Sequence, residues 1–395
     1  MKIIQITASY KPAYIYGGPI QSVSKLCEAI VAISDKRLAI GHHLFNAHEL
    51  QVLTTTANGK TELEVTENPT LVDHVPVTYF KRLTKDHSHF SPQLLWRLKR
   101  ILQTAKAQPI IHIHAWWNLV SVLSCFVAKW YNVPVLLSPR GMITDYTKNN
   151  RNSFAKKLIH NIIGKNLLKY CHIHTTSEQE KQDILKIITP KSISVIPNLI
   201  NIKHSVSSSK LAVYNNPATF RLIFLSRIEE KKGLELLFDA LSLLKINWQL
   251  TIAGSGKDKY LESLKIKAKN LNIHNQIDWF GQVSNEDKYT LMAQHDLLIL
   301  TSFNENFANV VVEGLSVGTP VLISNQVGLS DYVIDQQFGW ISNLNANDIK
   351  DMVFKAFSDH KRREMIRESA PEIIKRDFND QVLANRYLQL YKSLI

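Results

Sequence analysis

Cysteine is scarce: Cys27, Cys125 and Cys171 are the only three in 395 residues. They are too few and too widely spaced for a disulfide framework or a zinc site, so a reducing, cytosolic setting is expected. Long apolar runs are missing too. No stretch reaches the roughly 18 uninterrupted apolar residues a membrane span needs, and the opening residues, MKIIQITASYKPAY, lack the apolar segment of a secretory leader. There are no short internal repeats and no low-complexity tracts. With 45% hydrophobic and 21% charged residues, wholesale disorder is excluded. Asp-x-Asp occurs nowhere in the chain.

Acidic residues are scarce in one half only. Residues 1–200 carry 24 Lys and Arg against 12 Asp and Glu, whereas the remaining 195 residues carry 23 against 22. Nearly all of the net charge of +13 therefore lies in the first half, and such asymmetry points that half at something anionic. The chain is also too long for one core, and two domains are expected.

Strand-like apolar runs alternate with helical patterns. Lys2–Thr7 leads into a loop with Gly17-Gly18-Pro19 and an amphipathic helix near Ile20–Ile33; Leu50–Thr55, Ile110–His114 and Val133–Ser138 repeat the pattern. The run Ile193–Pro197 closes this half, and NIKHSVSSSKLAVYNNP reads as the connection to the next. The alternation restarts with strands at Phe220–Ser226, Trp248–Ala253, Asp296–Thr301 and Pro320–Ser324, and helices at Gly233–Leu244 and Asp258–Asn270. Helices at Asp348–Phe357, Lys361–Lys375 and Asp380–Leu394 end the chain. Alternation of this kind implies parallel sheets covered on both faces, hence two doubly wound α/β domains in series.

In such sheets the polar residues just after strands deserve inspection. Ser302–Gly314 follows an apolar strand and runs directly into a helix, whose N-terminus suits an anionic or polyhydroxyl ligand. Glu305 lies on that loop and Glu313 eight residues on, inside the helix. Taken alone they read equally as a solvated loop acid and a helix-surface charge. Ser226–Gly233 also joins a strand to a helix. There Arg227 and Lys232 offer a fork and a point charge that together grip a diphosphate, while Lys231, Glu229 and Glu230 read as a solvated first turn.

Together these segments resemble the retaining glycosyltransferases of family 4, whose marker is a Glu-x7-Glu pair. Gly17-Gly18, His112-Ile113-His114, Ile196-Pro197-Asn198, Ala253-Gly254-Ser255-Gly256, Phe280-Gly281 and Gly318-Thr319-Pro320-Val321 extend the resemblance over nearly the whole chain. Ser138-Pro139-Arg140-Gly141-Met142 looks like the branch devoted to bacterial surface polysaccharides. The resemblance implies the GT-B fold: two Rossmann-like α/β domains facing each other across a cleft. They would span residues 1–200, binding the acceptor, and 201–375, binding the nucleotide sugar, with a helix at 376–395 crossing back through Tyr387 and Tyr391. The donor would be UDP-linked in preference to GDP-linked, and the acceptor a lipid-linked or growing surface glycan.

Residue by residue, the resemblance implies that Arg227 and Lys232 hold the donor diphosphate and that Glu313 binds the ribose hydroxyls. Glu305 and the backbone amides of Phe307, Ala308 and Asn309 would hold the donor sugar, His114 would touch it near the reacting carbon, and Gly17 and Gly18 would let backbone approach the phosphates. No metal and no cofactor is expected; Arg and Lys would neutralise the departing phosphate instead. The chain departs from the family pattern at Ala308 and Leu199, where glycine is usual, and at Asp377-Phe378-Asn379, where a tryptophan is missing.

Other features divide between two readings. His112 and His114 face one side of a strand, a conceivable metal pair without a third ligand, or core-edge histidines. Trp116 and Trp117 suit sugar stacking or packing equally. Gly254-Ser255-Gly256 lacks the third glycine of a dinucleotide fingerprint. Two basic segments, Gln93–Ala107 and Arg151–Tyr170, can lie on the anionic inner face of the cytoplasmic membrane, or pack their apolar stripes on the sheet and leave their cations solvated. Patterns that bind nucleic acid are missing, and nucleic acid is not an expected partner. The rival functions are a sugar-nucleotide epimerase or hydrolase of the same architecture, and a non-catalytic binding protein.

Overall fold

The structure, a computed structural model, describes residues 1–39, 49–143, 164–202 and 219–395. The chain divides into two compact units, Met1–Ile200 with Phe378–Ile395, and Asn201–Asp377.

The first unit runs β1 (Lys2–Ile6), α1 (Gly18–Ala39), β2 (Glu49–Thr55), β3 (Ala57–Asn58), β4 (Thr61–Glu62), β5 (Thr70–Val72), β6 (Val75–Phe80) and α2 (Pro92–Thr104). It continues with β7 (Ile110–His114), α3 (Leu119–Trp130), β8 (Val135–Ser138), α4 (Lys165–Tyr170), β9 (His172–Thr175), α5 (Glu178–Leu185) and β10 (Ser192–Val195). Its eight-stranded sheet has the order β10-β9-β8-β7-β1-β2-β6-β5, parallel except where β5 pairs with β6. Every residue of β7 and β8 is buried, as expected of strands covered on both faces. In α2, Pro92 occupies the first turn and Leu94, Leu98, Ile101 and Leu102 recur at helical spacing to face the sheet. Leu98 and Ile101 therefore belong to the core with Ile4, Ile113, Val120 and Ile173, whereas Trp96 points away. Trp116 is buried in the same core, which settles it as a packing residue.

The second unit runs β11 (Phe220–Leu225), α6 (Leu234–Ser242), β12 (Trp248–Ala253), α7 (Asp258–Asn270), β13 (Ile277–Gly281), α8 (Asp287–Ala293) and β14 (Leu297–Leu300). Then follow α9 (Asn309–Ser316), β15 (Val321–Ser324), α10 (Ser330–Asp335), β16 (Gly339–Ser342), α11 (Ala346–Ser358) and α12 (His360–Asp377). Its six strands are parallel in the order β13-β12-β11-β14-β15-β16. The last helix, α13 (Asp380–Ser393), packs on α1 of the first unit.

Several elements differ from the sequence reading. The helix expected near Ile20–Ile33 spans Gly18–Ala39. Strands β6, β9, β13 and β16 were not foreseen: β6 alternates buried and half-buried residues around Pro76, and β9 is half histidine, so neither reads as an apolar run. Of the basic segment Arg151–Tyr170 only the last turns, α4, are described; Arg151, Phe154, Lys156, Lys157, Leu158 and Ile162 lie outside the described residues, as do residues 203–218 of the expected connection.

Candidate functional site

The strand order of the second sheet reverses at β11, between β12 and β14, so the loops leaving β11 and β14 stand side by side. They are tied together: the Phe303 N–H donates to the Lys231 carbonyl at 2.8 Å and the Thr301 hydroxyl to the Gly233 carbonyl at 3.0 Å. Gly233 has φ 71°, and a Cβ there would meet the Thr301 carbonyl oxygen at 2.2 Å, so this approach requires glycine. Gly254 does the same on the other side, where a Cβ would lie 1.8 Å from the Ser226 carbonyl oxygen. Gly254-Ser255-Gly256 is thus a spacer between loops.

On this platform sit Arg227, Lys231, Lys232 and Glu305. The Lys232 ammonium is buried and ion-paired with Glu305 Oε2. Burial alone would raise the Glu305 carboxyl, but Lys232 and Lys231 outweigh it and hold the group below the usual carboxylate range. Lys231 is half-buried, not the solvated residue of the sequence reading. Burial pulls its ammonium down against the attraction of Glu305, and Lys232 and Arg227 add repulsion. Arg227 is the exposed member and donates to Glu229 Oε1 at 2.8 Å. Three cations thus converge on one loop pair with Glu305 and Glu229 between them. Such a set can take up a polyanion by exchanging carboxylate contacts for phosphate contacts.

Glu313 is not a surface charge. Only 5% exposed, it accepts from Lys288 Nζ of α8 at 2.7 Å, and Lys288 is itself 8% exposed. Lys288 was not anticipated. It stands in no motif, 25 residues before its partner, and the pair exists only because α8 packs on α9. Phe307 and Ala308 are buried ahead of α9, and Asn309 begins it. Ala308 has φ 66°, a left-handed conformation that costs a residue with a side chain about 1–2 kcal/mol, which is the consequence of its standing where the family pattern has glycine.

His114, which the family resemblance assigns to the donor sugar, lies in the first unit, 1% exposed, inside a continuous hydrogen-bond chain. Arg140 Nη2 lies 3.3 Å from His114 Nδ1, and a guanidinium only donates, so Nδ1 accepts and the proton sits on Nε2. From there the polarity is forced at each step. His114 Nε2 donates to Gln5 Oε1 (2.7 Å), Gln5 Nε2 to the Tyr391 hydroxyl (3.0 Å), and Tyr391 to His112 Nδ1 (2.7 Å). His112 Nε2 donates to Ser138 Oγ (2.7 Å), Ser138 to His174 Nδ1 (2.7 Å), and His174 Nε2 to the Ile196 carbonyl (2.8 Å). Both ring nitrogens of His112 are consumed, as are both of His114, so the conceivable metal pair does not exist as a pair of open ligands. Arg140, half-buried, also reaches Ser22 Oγ and Asn198 Oδ1, and its Nε is buried without a partner among the described residues. It is the member of the chain that meets solvent, and the sequence singled it out only as part of a motif. Gly17, at φ 73°, ends the turn before α1 and Gly18 opens that helix.

The three imidazoles are neutral in the fold. Burial drives His174 down to about 3 and His112 and His114 well below their ordinary range, with Arg140 adding repulsion to all three. Unfolded, each takes up a proton near pH 6.5. Stability is therefore complete above pH 6.5 and falls as pH drops toward the folded values, with a slope approaching about 1.4 kcal/mol per pH unit for each histidine. The expected result is a urea midpoint flat from pH 8.5 to 7 and falling steeply from 6.5 to 4.5; a midpoint independent of pH over the lower interval would refute the neutral chain.

Comparison with known proteins gives a consistent result. The family model described as "Glycosyltransferase Family 4" matches residues 38–204, and that of "Glycosyl transferases group 1" matches residues 210–373. An uncharacterized glycosyltransferase of Methanocaldococcus jannaschii is 25% identical over 99% of this chain and 98% of its own. The lipopolysaccharide 1,6-galactosyltransferase of Escherichia coli is 30% identical over 40% of this chain and 43% of its own. Among solved structures, the Anabaena protein HepE in complex with UDP and glucose superimposes with a TM-score of 0.72, at 18% identity and full coverage of both chains.

Proposed function

The chain belongs to family 4 of the glycosyltransferases, with the GT-B fold, and from that premise we propose that it moves a hexose-type sugar from a nucleotide sugar to a lipid-linked or growing surface glycan. UDP is the favoured nucleotide. The observation that carries the donor side is the convergence of Arg227, Lys231, Lys232 and Glu305 on the loops leaving β11 and β14, with the acid Glu313 nearby in sequence and held by Lys288.

In this reading Lys232 and Arg227 bind the diphosphate and neutralise it as it departs. Glu305, with the backbone around Phe307, Ala308 and Asn309, holds the sugar hydroxyls, and Glu313 holds the ribose. The bond from the sugar carbon to the phosphate oxygen breaks, the acceptor oxygen bonds to the same face, and the acceptor proton passes to the departing phosphate oxygen. Configuration is retained without a covalent intermediate. Positioned cations stabilise the leaving group without the help of a divalent metal. In the first unit, which takes the acceptor in this reading, His114 keeps the role the resemblance gives it, contact with the transferred sugar near the reacting carbon, with Arg140 beside it. The Escherichia coli relative's role in lipopolysaccharide and the UDP bound by the Anabaena protein favour the surface-glycan and UDP readings.

Calorimetric titration of UDP, GDP and ADP into the full chain in the presence of EDTA tests the donor assignment. UDP is expected to bind most tightly, with at least tenfold weaker binding to Glu313→Gln. Equal binding of the three nucleotides, or UDP binding that Glu313→Gln leaves unchanged, contradicts it.

A further inference from the structure

The helical layer α2–α3–α4 on the first unit has an outer surface that the donor chemistry does not use. Helix α3 packs against α2 on one side and α4 on the other. Each turns its apolar stripe to the sheet, yet large aromatic rings remain outside: Trp96 is 59% exposed, Phe126 47% and Trp130 73%. Phe126 and Trp130 lie one turn apart and touch, with ring centroids 6.2 Å apart, and the Arg100 guanidinium lies 4.8 Å over the Trp96 ring. A single exposed ring is ordinary on a soluble protein; three on adjacent helices are not.

The charge on the same surface is one-sided. Helices α2, α3 and α4 contain no Asp or Glu, while Arg97, Lys99, Arg100, Lys129, Lys165 and Lys169 are all exposed. A solvated helix surface mixes charges of both signs. Between Asp86 and Glu178 the sequence has only one acid, Asp145, against twelve Lys and Arg. Cations without counter-charges beside exposed aromatic rings match one environment in particular, the head-group layer of an anionic bilayer. There the rings sit at the boundary between polar and apolar phases and the cations meet lipid phosphates. A soluble polyanion would use the cations and leave the rings idle, so the rings decide between the two.

We infer that the outer face of α2, α3 and α4 is a docking surface for anionic phospholipid membranes, with Trp96, Phe126 and Trp130 as its interfacial anchors. No helix among the described residues is long and apolar enough to cross a membrane, so this is contact with a surface. The inference is independent of the donor assignment.

The test is co-sedimentation of the full chain with vesicles of phosphatidylcholine alone and of phosphatidylcholine with 30% phosphatidylglycerol, with a short DNA duplex as a soluble polyanion. Wild type is expected to bind the anionic vesicles at least tenfold more tightly than the neutral ones, with affinity falling as salt rises. Trp96→Ser with Trp130→Ser should weaken vesicle binding at least tenfold and leave DNA binding unchanged. Arg97→Gln, Lys99→Gln and Arg100→Gln together should weaken both. All of these positions are exposed, and an unchanged circular dichroism spectrum and urea midpoint certify the fold of each variant. Equal binding to neutral and anionic vesicles, or vesicle binding untouched by loss of the two tryptophans, overturns the inference.

Discussion

Lys288→Met is expected to lower the stability of the chain by about 3–5 kcal/mol, because it leaves the Glu313 carboxylate buried without its counter-ion. The two side chains are 9% and 6% exposed, so solvent cannot take over from the missing ammonium. Replacing both partners, Lys288→Met with Glu313→Leu, should restore most of that loss, since a buried pair removed together is often neutral. UDP affinity should behave differently. It is expected to be lost in the double variant even though stability recovers, because the group proposed to hold the ribose is gone. Urea denaturation and UDP titration on the same samples separate the two effects. A single variant as stable as wild type would mean that the pair contributes nothing to the fold. A double variant that still binds UDP would remove Glu313 from the site.

The second large effect is expected in turnover. Lys232→Met should slow release of UDP from its sugar conjugate by about 10²–10³-fold, the range seen when one preorganised group facing developing charge is removed. Lys232 is buried and paired with Glu305, a contact it exchanges for the phosphate when the donor binds, so its charge is in place before the phosphate departs. Arg227→Gln should cost less, because that side chain is half exposed and its present partner, Glu229, is a neighbour two residues away. Initial rates with UDP-glucose in the presence of EDTA give the ranking. Turnover of Lys232→Met within threefold of wild type would show that the leaving phosphate is stabilised by other groups.

Much of the second unit was legible. Phe220–Ser226, Trp248–Ala253, Asp296–Thr301 and Pro320–Ser324 are apolar runs bounded by turn residues, and each contains a strand with few or no polar positions to bury. The first unit was less so. Ile110–His114 reads as a strand and is β7 in spite of His112 and His114, whereas β9, His-Ile-His-Thr and wholly buried, was not foreseen. The histidines of both strands become tolerable inside through hydrogen-bond partners, which a reading by hydrophobicity does not supply. Here the partners come from far along the chain: Gln5 from β1, Ser138 from the end of β8, and Tyr391 from α13.

The candidate site divides along the same line. The sequence by itself determined that Arg227, Lys232 and Glu305 sit on loops after strands, that Glu313 falls inside the following helix, and that the basic charge is confined to the first half. Those are properties of local periodicity and composition, read over windows of ten or so residues. Only the tertiary structure decided that Lys231 is drawn into the cation cluster, that Lys288 compensates Glu313, that Arg140 heads the chain ending at Ile196, and that Trp96 stands outside while Leu98 and Ile101 go in. Each of these depends on which groups lie within a few ångströms of one another in low-dielectric surroundings. Charge compensation and hydrogen-bond satisfaction are set by distance in space, and Gln5 and Tyr391, 386 residues apart, are 3.0 Å apart in the fold.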